Sequence, residues 1–419
     1  MGSRLRYAAA MRFRCMRRTL GALIVLAAMA SGTCFQPSMS AATSVRRSTT
    51  ATLERITFFN SAVGYGLFEQ EGSLTCGYLA AKTTDGGAHF EYLSTATSWP
   101  CADNAPVMFL TFDTHADGFL YGPKLFVTHN GGRTWKPDLQ PGTVVAVAAV
   151  GRSIWLLEGE CGANASPTCP LRLLESTDGG RTWSPASNQP PDAAATTGAL
   201  GLEPAQGQSW LVRLTGASAY LMSNPSPTQN GSSDVVPLWS TNDGGATWVP
   251  EEVPCDLDAL SAVLSVAPDG SLVVVCAAQP SAGFQPKSMA VSSDEGRTWS
   301  VQSSCVGPLT SRCTSSPLSY GYLGEVAATS LTTAFVTGGR SELLTTHDGG
   351  ARWEAHRNIG DVNGSPAQVL FFDASHGVVL GRQNTAASPV AIWHTSDGGS
   401  SWSVLTPHLG SKRSGLSGT

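Results

Sequence analysis

None of the short strings that commonly announce a chemistry occurs in this chain. It has no HExxH helix, no CxxC pair, no Walker loop, no GxSxG elbow and no dinucleotide fingerprint. Its eight His are scattered, and His129 and His347 occupy the same position of different repeats, too far apart to share an ion. No metal and no cofactor is therefore expected. Charge is sparse, at 14% of residues, and no long apolar run exists beyond Leu20–Ala30, which is too short to span a bilayer comfortably. Past the N-terminus no segment holds a helical period, so the chain is expected to be built from strands and turns.

What the chain does hold is repetition. Seven times it spells Ser/Thr-x-Asp-x-Gly-x-x-Trp, with the third position at Asp85, Asn130, Asp178, Asp243, Asp294, Asp348 and Asp397. Successive steps are 45, 48, 65, 51, 54 and 49 residues, a period of stacked supersecondary units, either propeller blades or a solenoid. Two copies depart from the pattern: Asn130 replaces Asp, and Phe90 replaces Trp. Both changes are mild, because Asn also caps turns and Phe fills similar space.

The phrase folds a corner. Its Asp carboxylate accepts backbone N–H groups ahead of it, Gly supplies the positive φ of the reversal, and the aromatic anchors the next strand. Upstream of each box lie three short apolar runs separated by turns. In repeat seven these are Gln368–Phe372, Val378–Leu380 and Val390–His394, with Ser403–Thr406 after the box. In repeat six they are Val326–Thr329, Ala334–Thr337 and Leu343–Thr346, and in repeat one Ile56–Phe59, Tyr65–Phe68 and Tyr78–Ala81. The expected fold is all-β, a seven-bladed β-propeller of four-stranded antiparallel blades with one box hairpin per blade.

The ends are read by composition. Arg12, Arg14, Arg17 and Arg18 precede Leu20–Ala30, with Ala28-Met29-Ala30 as a small-x-small cleavage site, so residues 1–30 are expected to be a signal peptide. Translation has two candidate starts, Met1 and Met11, the second being the more typical position for a signal. Residues 31–52 read as a Ser/Thr-rich linker, 53–406 as the propeller and 407–419 as a polar tail. Cleavage leaves 20 basic against 31 acidic residues, moving the net charge from −5 to −11, which argues against nucleic acid. The mature chain is expected to be secreted, monomeric and without a membrane span. Cys34 offers a lipid attachment point at the cell surface, although Ser31-Gly32-Thr33 is a poor lipobox.

Export also changes the reading of the cysteines. Eight lie in the propeller as neighbouring pairs: Cys76–Cys101, Cys161–Cys169, Cys255–Cys276 and Cys305–Cys313. Each cysteine is expected in a second-to-third-strand loop or in a link to the next blade, so four disulfides would stiffen one face. Long loops are expected on that face over Glu158–Pro170, Thr215–Val235, Ala277–Lys287 and Val301–Tyr322.

The seven boxes resemble the Asp-box, or BNR, repeats of a β-propeller superfamily, over Leu53 to Thr406. The resemblance implies that the boxes sit at the blade periphery as structure, away from any central site. Sialidases belong to the same superfamily, but their Phe/Tyr-Arg-Ile-Pro motif has only Glu54-Arg55-Ile56-Thr57 as a counterpart, and Arg133, Arg181 and Arg297 lie inside boxes. The paired propellers of Asp-box endoglucanases are lacking too, and Glu158, Glu160, Asp256 and Asp258 have no spacing that singles them out as an acid and base. In size and repeat wording the chain is similar to photosystem II assembly-factor propellers, a family that binds protein through a basic patch without catalysis. Lys124, Arg340 and Arg382 fall at equivalent corners of blades two, six and seven, and with Trp99 they form the expected ligand surface. Trp155 and Trp210 are expected in the core. The function expected is binding of a protein or glycan on the disulfide-stapled face, without catalytic residues. The alternative is an exported, sialidase-like glycoside hydrolase.

Overall fold

The computed structural model describes residues 51–138, 142–159, 168–191, 194–196, 211–223, 233–280, 284–303, 317–338, 341–361, 368–382 and 389–410. The chain divides into two units, 1–46 and 47–419, and all described residues lie in the second. The expected signal peptide, Met1, Met11, Cys34, the linker as far as residue 50, and residues 411–419 lie outside them.

Seven antiparallel four-stranded sheets follow one another along the chain, each a meander in sequence order, and together they form a seven-bladed β-propeller. Their innermost strands are Ala51–Phe58, Phe109–Phe112, Thr143–Val150, Leu211–Arg213, Ser261–Val266, Val326–Ala328 and Gln368–Phe371. The strands of repeats one, six and seven fall on the runs expected from the sequence, within a few residues at each end.

Blade five shows why these runs are so apolar. In Leu272–Ala277 every residue is buried. Leu272, Val274 and Cys276 pack towards blade four, while Val273 and Val275 pack towards blade six. Side chains alternate faces along a strand, and a blade has a neighbour on both faces, so neither set can be polar. The core is accordingly divided into seven clusters, each shared by two adjacent blades, the seventh joining blades seven and one.

The box turns have the expected form. In blade four Thr241 Oγ1 donates to Asp243 Oδ1 (2.9 Å) and accepts from Gly245 N (2.9 Å), while Thr247 N donates to Asp243 Oδ1 (2.8 Å). Asn130 reproduces this geometry in blade two, accepting from Thr134 N at 2.9 Å and donating through Nδ2 to Thr134 Oγ1. The second glycine has a further role. A Cβ on Gly87, Gly180, Gly245, Gly296 or Gly399 would meet Ile392, Phe119, Trp155, Leu238 or Phe335 respectively, always a side chain of the preceding blade. The corner is therefore also an inter-blade contact.

The ring does not close through the strand near Val404. Val404 lies on an outer strand and is 48% exposed. Instead, Ile392 of blade seven packs into the blade-one core, Ile56 N donates to Gln368 Oε1, and His408–Leu409 pairs in parallel with the outer strand His89–Pro100. Residues 408 and 409 of the expected tail thus belong to blade one.

Two disulfides lie among the described residues. Cys76–Cys101 joins the start of the third strand of blade one to the end of its fourth. Cys255–Cys276 links the outer strand of blade four to the second strand of blade five, and both residues are fully buried within strands rather than in loops. Cys161, Cys305, Cys313 and the side chain of Cys169 are outside the described residues. The expected loop Thr215–Val235 also contains a strand, Ala219–Met222.

Candidate functional site: the central channel

Inner strands of a propeller present one unpaired edge to the central channel, and buried N–H groups there need acceptors. Across four blades the acceptor comes from the preceding blade's first repeat segment. Ser265 Oγ of blade five accepts from Ala328 N (2.8 Å), Glu325 Oε2 of blade six from Val369 N (3.1 Å), and Gln368 Oε1 of blade seven from Ile56 N (2.7 Å). Arg55 of blade one holds the corresponding place towards blade two, its guanidinium 5.5 Å from the Phe109 ring centroid. Arg55, Glu325 and Gln368 are all buried.

These groups sit in a strongly desolvated environment. Burial raises the Glu325 carboxyl to about 7, against the opposing pull of the Arg55 charge. Burial, reinforced by Glu69, also raises Glu54 to about 7, while Arg55 and Arg382 work against it. Burial lowers Arg55 from its ordinary value. Beside Glu325 a cavity of about 530 Å³ runs along the inner strands of blades four to seven. Val212, Leu264, Val266, Leu370 and Phe372 supply its apolar wall, and Leu214, Pro268 and Gly270 carry it to the first-to-second-strand turns. Those turns lie on the same face as the box turns, opposite the ends that carry the disulfides.

A second buried cation marks the opposite face. Lys287 Nζ donates to the carbonyl oxygens of Gln285 (3.2 Å), Leu318 (3.0 Å), Tyr320 (3.3 Å) and Gly321 (3.0 Å), tying the Pro317–Ser319 turn to blade five. Burial pulls its pKa down to about 7.

Lys124 is exposed at its blade-two corner, Arg382 is half-buried and electrostatically coupled to Glu54, and Arg340 lies outside the described residues. Trp99 packs on Tyr78, ring centroids 4.8 Å apart, in the core between blades one and two. Trp155 is buried as expected, whereas Trp210 is outside the described residues. Asp85, Asn130, Asp178, Asp243, Asp294, Asp348 and Asp397 all serve their own turns. Arg133, Arg181 and Arg297 are exposed on box turns. Glu158 is buried, with Arg172 Nη1 at 3.5 Å, while Glu160 and the side chains of Asp256 and Asp258 are outside the described residues. Among described residues no group of His, Cys, Asp and Glu could hold a metal ion.

Sequence reasoning missed Ser265, Glu325 and Gln368. A signal for two of them exists: Arg55-Ile56, Glu325-Val326 and Gln368-Val369 place a long polar residue before a β-branched one at the same point of three repeats.

The sequence model of a family described as "Photosynthesis system II assembly factor YCF48" matches residues 309–387. A curated relative from Synechococcus sp. (strain CC9902), "Photosystem II assembly lipoprotein Ycf48", is 24% identical over 330 residues, 69% of this chain and 89% of its own. Among solved structures, one of "YCF48 bound to D1 peptide" has a TM-score of 0.46 at 19% identity, covering 83% of this chain and 94% of that one. An ancestral GH74 enzyme has a TM-score of 0.48 at 14% identity, covering 86% of this chain and 47% of its own. With seven boxes on seven blades, the chain is an Asp-box (BNR-repeat) β-propeller, similar in size and repeat wording to the photosystem II assembly-factor propellers.

Proposed function

We propose that this chain is an exported, non-catalytic propeller that holds a segment of a protein partner. The observation that carries the reading is the central channel, a 530 Å³ recess walled in part by Val212, Leu264, Val266, Leu370 and Phe372, whose one lining carboxyl, Glu325, is already engaged by the Val369 N–H. Such a recess suits binding by burial of side chains rather than by reaction. The curated relative's name, an assembly lipoprotein, supports a protein partner and gives weight to Cys34 as an anchor. Export rests on residues 1–30, and the mass of the mature chain reports whether cleavage falls after Ala30 or before Cys34. The reading is tested by crosslinking the mature chain in the cell envelope from a photoreactive residue at position 214: one recurrent protein partner is expected. Crosslinks to many unrelated proteins in equal yield would sink it.

One observation favours the hydrolase alternative: Glu325 retains its proton close to neutral pH beside a recess large enough for a sugar. Hydrolysis of a panel of sialosides and β-glucans, with Glu325→Gln alongside, decides the matter. Turnover abolished in that variant would replace the binding reading.

A further inference from the structure

We propose that the channel mouth on the box-turn face docks an extended partner segment of aliphatic residues flanked by Lys or Arg, an inference that rests on the binding reading above. The wall supplies the aliphatic half of the match. Val212, Val266, Leu370 and Phe372 are only partly covered by their neighbours, and Leu214 at the mouth is 42% exposed. Apolar surface of this kind, rimmed by polar residues, marks an interaction site.

The rim supplies the charge. Around the cavity the four first-to-second-strand turns are Leu214–Ser218, Ala267–Ser271, Phe372–His376 and the segment from Thr329 to Thr333. They carry Asp269 and Asp373 but no Lys or Arg. Asp373 is held ionised by the backbone N–H groups of Ser375 and His376 and by the His376 ring. Asp269 accepts from Ser271 N and is exposed. The adjoining cations are committed elsewhere: Arg213 stacks over Trp155 at 4.2 Å and donates to Ser153 O, and Arg152 donates to Asp178 O. An apolar slot with an anionic mouth selects against acidic segments and draws basic ones.

The test uses the full mature chain, residues 31–419, and a short labelled peptide of aliphatic residues with lysines at both ends. Its partners are the same peptide with terminal glutamates, and the variants Val212→Trp, which fills the channel, Leu214→Ser, an exposed change that spares the core, and Asp269→Lys with Asp373→Lys. Fluorescence anisotropy is expected to show the lysine peptide binding at least about tenfold more tightly than the glutamate one at low salt. Val212→Trp should abolish binding, and the double charge reversal should weaken it about tenfold. No binding of the lysine peptide, equal binding of both peptides, or binding indifferent to Val212→Trp and Leu214→Ser overturns the proposal. If the position-214 crosslink persists in the Val212→Trp chain, the propeller still has its partner but the channel is not what holds it.

Discussion

At the rim of blade four, Thr241 and Asp243 satisfy the N–H groups of Gly245 and Thr247, four residues away in each case. At the channel the N–H of Ile56 is satisfied by Gln368, 312 residues away, and that of Val369 by Glu325, 44 residues away. Both arrangements meet the same demand, an acceptor for every buried donor. The rim meets it with a local rule that is copied seven times. The channel meets it with single residues whose partners lie on the next blade, so each one is a different type: Ser265, Glu325 and Gln368. A copied device tolerates variation in any one copy, as Asn130 shows, whereas an unrepeated device has no substitute.

The sharpest way to break this contrast is where the local device also carries a non-local contact. A Cβ on Gly399 would lie 2.3 Å from the Phe335 ring at a φ of +86°. Gly399→Ala is expected to cost about 3 kcal/mol by overpacking and backbone strain together, read by denaturant unfolding. Next in size is Gln368→Ala, which leaves the Ile56 N–H buried without its acceptor and is expected to cost about 1–3 kcal/mol. Asp243→Asn, copying blade two, should lower the unfolding midpoint less than Gln368→Ala does, because Asn keeps the Thr247 N–H acceptor. Equal losses from these two substitutions would erase the distinction between rim and channel.

Titration separates the two regions as well. At the rim, Asp243, Asp294 and Asp397 are held down to about 2, first by the hydroxyl four residues on and then by its backbone N–H. Their folded values lie below the unfolded ones, so the stability they add is present above about pH 4 and lost as pH falls towards 2. At the channel, burial raises Glu325 and Glu54 to about 7. Here the folded state keeps its protons longer, so the associated stability is present below the ordinary value of 4.5 and lost as pH rises to about 7. Melting temperature should therefore decline between pH 4.5 and 7, less steeply in Glu325→Gln, while the acid limb below pH 4 is shared by both proteins. The smallest effect belongs to Glu295, the one described non-glycine residue with positive φ (65°), standing where the other six boxes have glycine. Glu295→Gly should stabilise by at most about 1 kcal/mol, measured as a small rise in melting temperature.

By itself the sequence determined the blade count, the strand runs and the geometry of each box, because these follow from contacts within a few residues repeated at a fixed period. It also paired Cys76 with Cys101 and Cys255 with Cys276, the two pairs bonded among the described residues, by proximity in the chain. Tertiary structure alone decided that Cys255–Cys276 crosses from one blade to the next, that His408–Leu409 completes blade one, and that the second box glycines Gly87, Gly180, Gly245, Gly296 and Gly399 each face a side chain of the preceding blade. It alone brought Arg55, Glu325 and Gln368 together at the channel. Local hydrogen bonding leaves a signature at fixed spacing; contacts between blades depend on which residues a closed ring makes neighbours, and no spacing along the chain records that.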